Sequence, residues 1–189
     1  NYEVDPAQVV NSALTVTKAP LTVTANANTI EYGSANPLTP YSATITGFVS
    51  DEDVSSSGVG GAPVYTTNAT ITSPVSGSPY KITPALGTLI SSNYSFNSFV
   101  DGDITMTKAP LTVKANPVTR LYGDPNPALT ATITGFKNSQ TEATSDITGA
   151  PALSTTAAQF SSVLGSPYII SAALGTLVSG NYSFSTFES

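Results

Sequence analysis

The chain has 189 residues, enough for one or two domains with cores of their own, and it contains no cysteine, histidine or tryptophan. Disulfides, thiolate and imidazole zinc sites, cysteine nucleophiles and histidine-dependent triads are therefore excluded. A net charge of −6, with only 10% charged residues and six Lys+Arg, opposes a nucleic-acid partner, and the lack of any long apolar run or basic amphipathic helix opposes membrane insertion.

At the N-terminus, Asn1-Tyr2-Glu3-Val4 and Ala13-Leu14-Thr15-Val16-Thr17 each have a later counterpart, in Asn93-Tyr94-Ser95-Phe96 and Asp103-Ile104-Thr105-Met106-Thr107. Residues 1–17 thus read as the tail strand of a preceding copy of a repeated unit, and the chain as an excerpt of a longer array. Lys18-Ala19-Pro20 opens the next segment. There Leu21, Val23 and Ala25 alternate with Thr22 and Thr24 at a period of two, which predicts a half-buried strand. Tyr32-Gly33, Asn36-Pro37 and the strand-like Thr44-Ile45-Thr46-Gly47-Phe48 follow. The stretch Val49 to Val59 is the one place in this copy that suits a short helix, before Gly61-Ala62-Pro63 breaks it. Beyond Gly77-Ser78-Pro79-Tyr80, Tyr80 and Ile82 alternate with Lys81 and Thr83. Tyr94 and Phe96 share a face, and Asp101-Gly102-Asp103 reads as a turn between strands.

The same blocks then return in order. Lys108-Ala109-Pro110-Leu111-Thr112-Val113, Tyr122-Gly123 and Asn126-Pro127 lie 90 residues after their counterparts. Thr132-Ile133-Thr134-Gly135-Phe136, Gly149-Ala150-Pro151, Gly165-Ser166-Pro167-Tyr168, Gly175-Thr176-Leu177 and Asn181-Tyr182-Ser183-Phe184 lie 88 after theirs. A two-residue deletion in the loop near Pro40 reconciles the offsets, and Lys137 to Asp146 is the second short-helix stretch. At the junction Ile104 and Met106 lie on one parity and Leu111 and Val113 on the other, with the switch at Lys108-Ala109-Pro110. Shifting parity by one residue turns side chains to the opposite face. One nearly continuous extended segment is therefore expected to leave one core and enter the next, as a short, stiff linker between modules lying end to end. Leu14, Val16, Leu21 and Val23 are expected to do the same.

These blocks resemble the MBG domain of the Tyr-Gly type, a repeat of bacterial extracellular proteins. The resemblance rests on Lys-Ala-Pro-Leu-Thr-Val, Tyr-Gly, Asn-Pro, Thr-Gly-Phe, Gly-Thr-Leu and Asn-Tyr-Ser-Phe, found twice over residues 18–189. It implies a mostly-β chain of two tandem β-grasp-like modules with at most a short helix each, arrays on surface proteins, and no catalytic activity. It carries over no binding residue. Immunoglobulin-like β-sandwich repeats are the alternative architecture. The first module is taken as residues 1–107, including the tail strand at 1–17, and the second as 108–189.

Each chemical constellation has a plainer account beside it. Asp51-Glu52-Asp53 has the look of a calcium or paired-carboxylate site, but its counterpart is Ser139-Gln140-Thr141, so a solvated loop is expected. Lys18 and Lys108 recur with Asn93 and Asn181, as in Lys–Asn isopeptide crosslinks. No acidic residue recurs beside them, which favours a strand-end lysine and a turn asparagine. Tyr32, Tyr80 and Tyr94 recur as Tyr122, Tyr168 and Tyr182, and this favours packing within each module's own core over sugar stacking. Tyr41 and Tyr65 lack tyrosine counterparts and are the better candidates for exposed contacts.

The sequence thus predicts no enzyme, no cofactor, and no catalytic or metal-binding residue. The expected role is a structural stalk or spacer of a bacterial cell-surface or secreted adhesin, its neighbours being further repeats of the same protein. A module that binds glycan, mucin or a host surface protein is the alternative.

Overall fold

The computed structural model describes residues 13–34 and 40–189. The Asn1-Tyr2-Glu3-Val4 block and Asn36-Pro37 lie outside the described residues. The fold is almost entirely β, as expected, and each copy of the repeat builds its own set of sheets.

The first module is organised by two nearly continuous extended stretches. One is β1 (Ala19–Ala25) followed by β2 (Asn28–Glu31); the other is β6 (Tyr94–Val100) followed by β7 (Gly102–Thr107). They run parallel along their whole length, with Ala19 opposite Tyr94, Thr24 opposite Val100, Asn28 opposite Ile104 and Glu31 opposite Thr107. Both stretches change sheet midway. β1 and β6 belong to a three-stranded sheet with β3 (Ala43–Thr46), in the order β3-β1-β6. β2 and β7 belong to a four-stranded sheet with β5 (Tyr80–Ala85) and β4 (Val64–Thr67), in the order β2-β7-β5-β4.

Asp101-Gly102-Asp103 is therefore not the expected turn. Asp101 is a one-residue break in a stretch that keeps its direction, and β6 and β7 do not pair with each other. Gly102 is required there because a Cβ would lie 2.5 Å from the Ala25 carbonyl oxygen.

The second module repeats the first sheet as β8 (Ala109–Ala115), β9 (Ala131–Thr134) and β12 (Tyr182–Glu188), in the order β12-β8-β9, with β8 and β12 parallel. Its second sheet is smaller: β10 (Ala152–Thr155) pairs only with β11 (Ile170–Ala173).

The parity switch is where the sequence places it. Ile104 and Met106 are buried in a core with Ala25, Ile30, Ala69 and Ile82. Ala109, Leu111 and Val113 are buried in another, with Ile133, Leu177 and Tyr182. Lys108 alone separates the two strands. At the N-terminus, Leu21 and Val23 are buried as expected. Leu14 and Val16 are not: they are 91% and 86% exposed, and residues 13–17 form no strand.

No α-helix occurs among the described residues. Val49 to Val59 is a series of turns, and Lys137 to Asp146 contains only a 3-10 turn at Glu142–Thr144. Both stretches instead hold the same local hydrogen bonds. The Asp53 N–H donates to Ser56 Oγ and the Ser57 N–H to the Asp53 carbonyl; the Thr141 N–H donates to Thr144 Oγ1 and the Ser145 N–H to the Thr141 carbonyl. Serine, threonine and aspartate offer the backbone these bonds in competition with a helix.

Candidate functional site

The parallel pair positions one residue at the far end of the first module. β2 ends at Glu31, and the Tyr32 N–H makes the last bond of the ladder, to the Thr107 carbonyl at 2.8 Å. One residue beyond Thr107 the chain passes into β8. Tyr32 is therefore delivered to the surface of the second module, and its ring is buried there, 4% exposed, in the cluster that also holds Tyr182, Leu177 and Ala109.

The Tyr32 and Tyr182 rings meet edge to face, with centroids 5.4 Å apart at 83°. Such a pair adds about 0.5–1.5 kcal/mol to the area it buries. Both hydroxyls donate to Gln140 Oε1, from Tyr182 at 2.6 Å and from Tyr32 at 3.3 Å. Burial raises the pKa of Tyr182 above the ordinary tyrosine value.

Polar contacts frame the ring. The Val75 N–H donates to Asn181 Oδ1 at 2.9 Å, and Asn138 Nδ2 donates to the Ile71 carbonyl at 3.0 Å. Asp146 holds Asn181 in place, accepting from its backbone N–H at 3.0 Å and its Nδ2 at 3.1 Å. Lys137 Nζ lies 3.0 Å from Glu31 Oε1. Val75 packs against both cores. Gly33 adopts φ +74°, and a Cβ on it would lie 2.2 Å from Lys137 Cβ, so the glycine serves both the backbone turn and the close approach.

The candidate residues named from sequence are placed as follows. Tyr94 and Tyr182 are core residues of their own modules, and Tyr80 and Tyr168 are half-buried, with hydroxyls donating to the carbonyls of Pro74 and Ser162. Tyr32 departs from the expectation, since the core it enters is its neighbour's. Its counterpart Tyr122 is 64% exposed. Tyr41 and Tyr65 are not free contacts: they are half-buried against the first module's core, ring centroids 5.9 Å apart.

The acidic stretch is also more structured than a solvated loop. Glu52 Oε2 accepts the Tyr94 hydroxyl at 2.5 Å, as Gln140 accepts that of Tyr182, and this bond raises the Tyr94 pKa. Asp53 Oδ1 accepts from the backbone and hydroxyl of Ser55 and Ser56, which hold its pKa down to about 2. Among the described residues no three acidic side chains are grouped to hold a metal ion. Lys18 and Lys108 each donate Nζ to a backbone carbonyl at 2.6 Å, of Ser91 and Ser179, and not to the asparagine side chains.

Sequence reasoning missed the joint because Tyr32 reads as one more aromatic residue after a strand. The signal available was its position: the tyrosine closes the strand that lies beside the parity-switching segment, and a glycine follows it.

A family model for the MBG domain (YGX type) matches the chain twice, over residues 21–105 and 111–189. No curated protein and no solved structure matches it.

Proposed function

Because the chain belongs to the MBG domain family of the YGX type, and two of its modules are locked together here, we propose that it is a structural spacer of an extracellular surface protein. The observation that carries this is the joint. Tyr32 of one module completes the core of the next, four residues on each side make polar contacts across it, and the two modules are linked by the single residue Lys108. A module held this way has one orientation relative to its neighbour, and a series of them extends by a fixed step. The Tyr-Gly pair that characterises the repeat is then the coupling element, repeated once per module.

No residue in this reading performs chemistry. Among the described residues no helix is long and apolar enough to cross a membrane, so attachment to a cell would depend on other parts of a parent protein.

The test is small-angle scattering on chains of two, three and four modules. A spacer gives a maximum dimension that grows by a constant increment per module and a cross-section that does not change. Profiles that fit only as flexibly tethered beads, or that collapse to a compact envelope, would contradict it.

A further inference from the structure

The joint is built from two kinds of residue, divided by whether the other copy of the repeat has them too. On the receiving side, the aromatic platform is common to both modules. Phe136 meets Tyr182 edge to face with centroids 5.6 Å apart, as Phe48 meets Tyr94 at 5.4 Å. The N–H after each phenylalanine donates to the tyrosine hydroxyl, from Lys137 at 3.0 Å and from Val49 at 3.1 Å. Asn181 has its counterpart in Asn93. On the offering side, Tyr32-Gly33 recurs as Tyr122-Gly123, and two further groups are main-chain: the Ile71 carbonyl and the Val75 N–H. None of these features distinguishes one module from the other.

The polar side chains around them do. Lys137, which pairs with Glu31, stands where the first module has Val49. Asn138, which donates to the Ile71 carbonyl, stands where it has the shorter Ser50. Asp146 stands where it has Gly58. The Asp146 carboxylate accepts from the Ser179 hydroxyl at 2.6 Å, the Gly180 N–H at 2.8 Å, the Asn181 N–H at 3.0 Å and Asn181 Nδ2 at 3.1 Å. With its amide nitrogen turned to this carboxylate, Asn181 presents its oxygen to the Val75 N–H. Asp146 is thus a positioning residue that acts on the joint through Asn181.

The acidic run of the first module belongs to the same comparison. Asp51-Glu52-Asp53 occupies the place of Ser139-Gln140-Thr141. Gln140 accepts the hydroxyls of both Tyr182 and the incoming Tyr32, and Glu52 accepts that of Tyr94 from the equivalent place. On the offering side one residue differs: Glu31 precedes Tyr32, and Leu121 precedes Tyr122.

The two sets of differences match in charge. Glu31 meets Lys137 beside a neutral run. Set against the first module's residues, the same end would bring a further carboxylate to three others, with valine in place of the lysine. We infer that Lys137, Asn138, Gln140 and Asp146 specify which neighbour the second module receives. They fit a Tyr-Gly end preceded by an acidic residue, and they reject the Leu-Tyr-Gly end that the same chain also carries. Joining is common to the repeat, while matching is particular to each joint, so the order of modules is written in their surfaces. Complementary charge favours the right partner, and uncompensated or like charge disfavours the wrong one. The inference rests on the reading of the joint as the coupling element of a spacer.

The Val75 amide reads the joint directly, because its bond crosses from one module to the other. Its hydrogen-exchange protection in the 189-residue chain falls as the joint opens, and the amides of β1 and β8 report whether each module stays folded. Lys137→Val, Asn138→Ser, Gln140→Glu and Asp146→Gly together give the second module the first module's residues. This fourfold change is expected to lower Val75 protection by at least about 10-fold. Glu31→Leu is expected to lower it by about 2- to 5-fold in the parent chain, and to raise it in the fourfold variant. Should β8 lose protection in that variant, Lys137→Val alone takes its place, and Glu31→Leu is expected to raise protection in that background as well. Glu31→Leu acting in the same direction with and without the receiving-side change overturns the proposal. Tyr32→Ala separates this from the reading beneath it. Val75 protection that survives Tyr32→Ala sinks the spacer reading and the matching with it; protection lost with Tyr32→Ala, but no reversal at Glu31, sinks the matching alone.

Discussion

At the scale of the residue, the chain contains its own controls. Tyr32 and Tyr122 occupy equivalent positions, one buried in a neighbouring module and one exposed. Tyr32→Ala removes a buried ring and is expected to cost about 3 kcal/mol; Tyr122→Ala is expected to stay within about 0.5 kcal/mol. Urea unfolding of the two variants in parallel measures the difference, and equal losses would show that Tyr32 is not coupling the modules.

The glycines after them make a second pair. Gly123→Ala meets only the positive φ, at about 1–2 kcal/mol, whereas Gly33→Ala must also displace Lys137 and so costs more. Asp53 supplies a pH dependence. Its folded pKa, about 2, lies below the unfolded value of 3.8. Its contribution is therefore present above about pH 4 and is lost as pH falls through 2. Melting temperature followed between pH 5 and 2 is expected to fall less steeply in Asp53→Asn than in the parent chain.

At the scale of the element, two corresponding segments differ in their pairing. β2 and residues 118–121 come from corresponding segments, and only β2 has β7 beside it. Hydrogen exchange is expected to show the amides of residues 29–31 protected and those of 119–121 exchanging at rates near those of open chain. Similar protection in both would contradict the difference in pairing.

This also marks how far the sequence could be read. The repeat, the strand patterning of Leu21, Val23 and Ala25, and the parity switch between Met106 and Leu111 follow from side-chain alternation, which burial enforces directly. The two stretches that suit a short helix form turns, because the side chains of Asp53, Ser56, Thr141 and Thr144 satisfy the backbone locally instead. The neighbour-completing role of Tyr32 was not legible, since periodicity reports that a residue is buried but not by which module. Glu52 likewise read as solvent-facing because its partner, Tyr94, lies 42 residues away.

At the scale of the whole molecule, the joint makes two modules into one body. Backbone ¹⁵N relaxation is expected to give the same rotational correlation time for residues 19–107 and 109–188, and Tyr32→Ala is expected to separate the two values. High salt should leave them together. The Lys137–Glu31 pair is more than one-third exposed on both sides and contributes less than about 1 kcal/mol, while the aromatic contact does not depend on ionic strength.

The parallel course of β1–β2 beside β6–β7 has a mechanical meaning. Tension along the chain enters the first module at Ala19, at the start of one stretch, and leaves at Thr107, at the end of the other. Two parallel strands pulled from opposite ends slide against each other, so their hydrogen bonds are loaded together in shear and not opened one by one from an end. Rupture then requires the whole ladder to yield at once, and the force is passed through Lys108 to β8 and β12, which lie in the same arrangement.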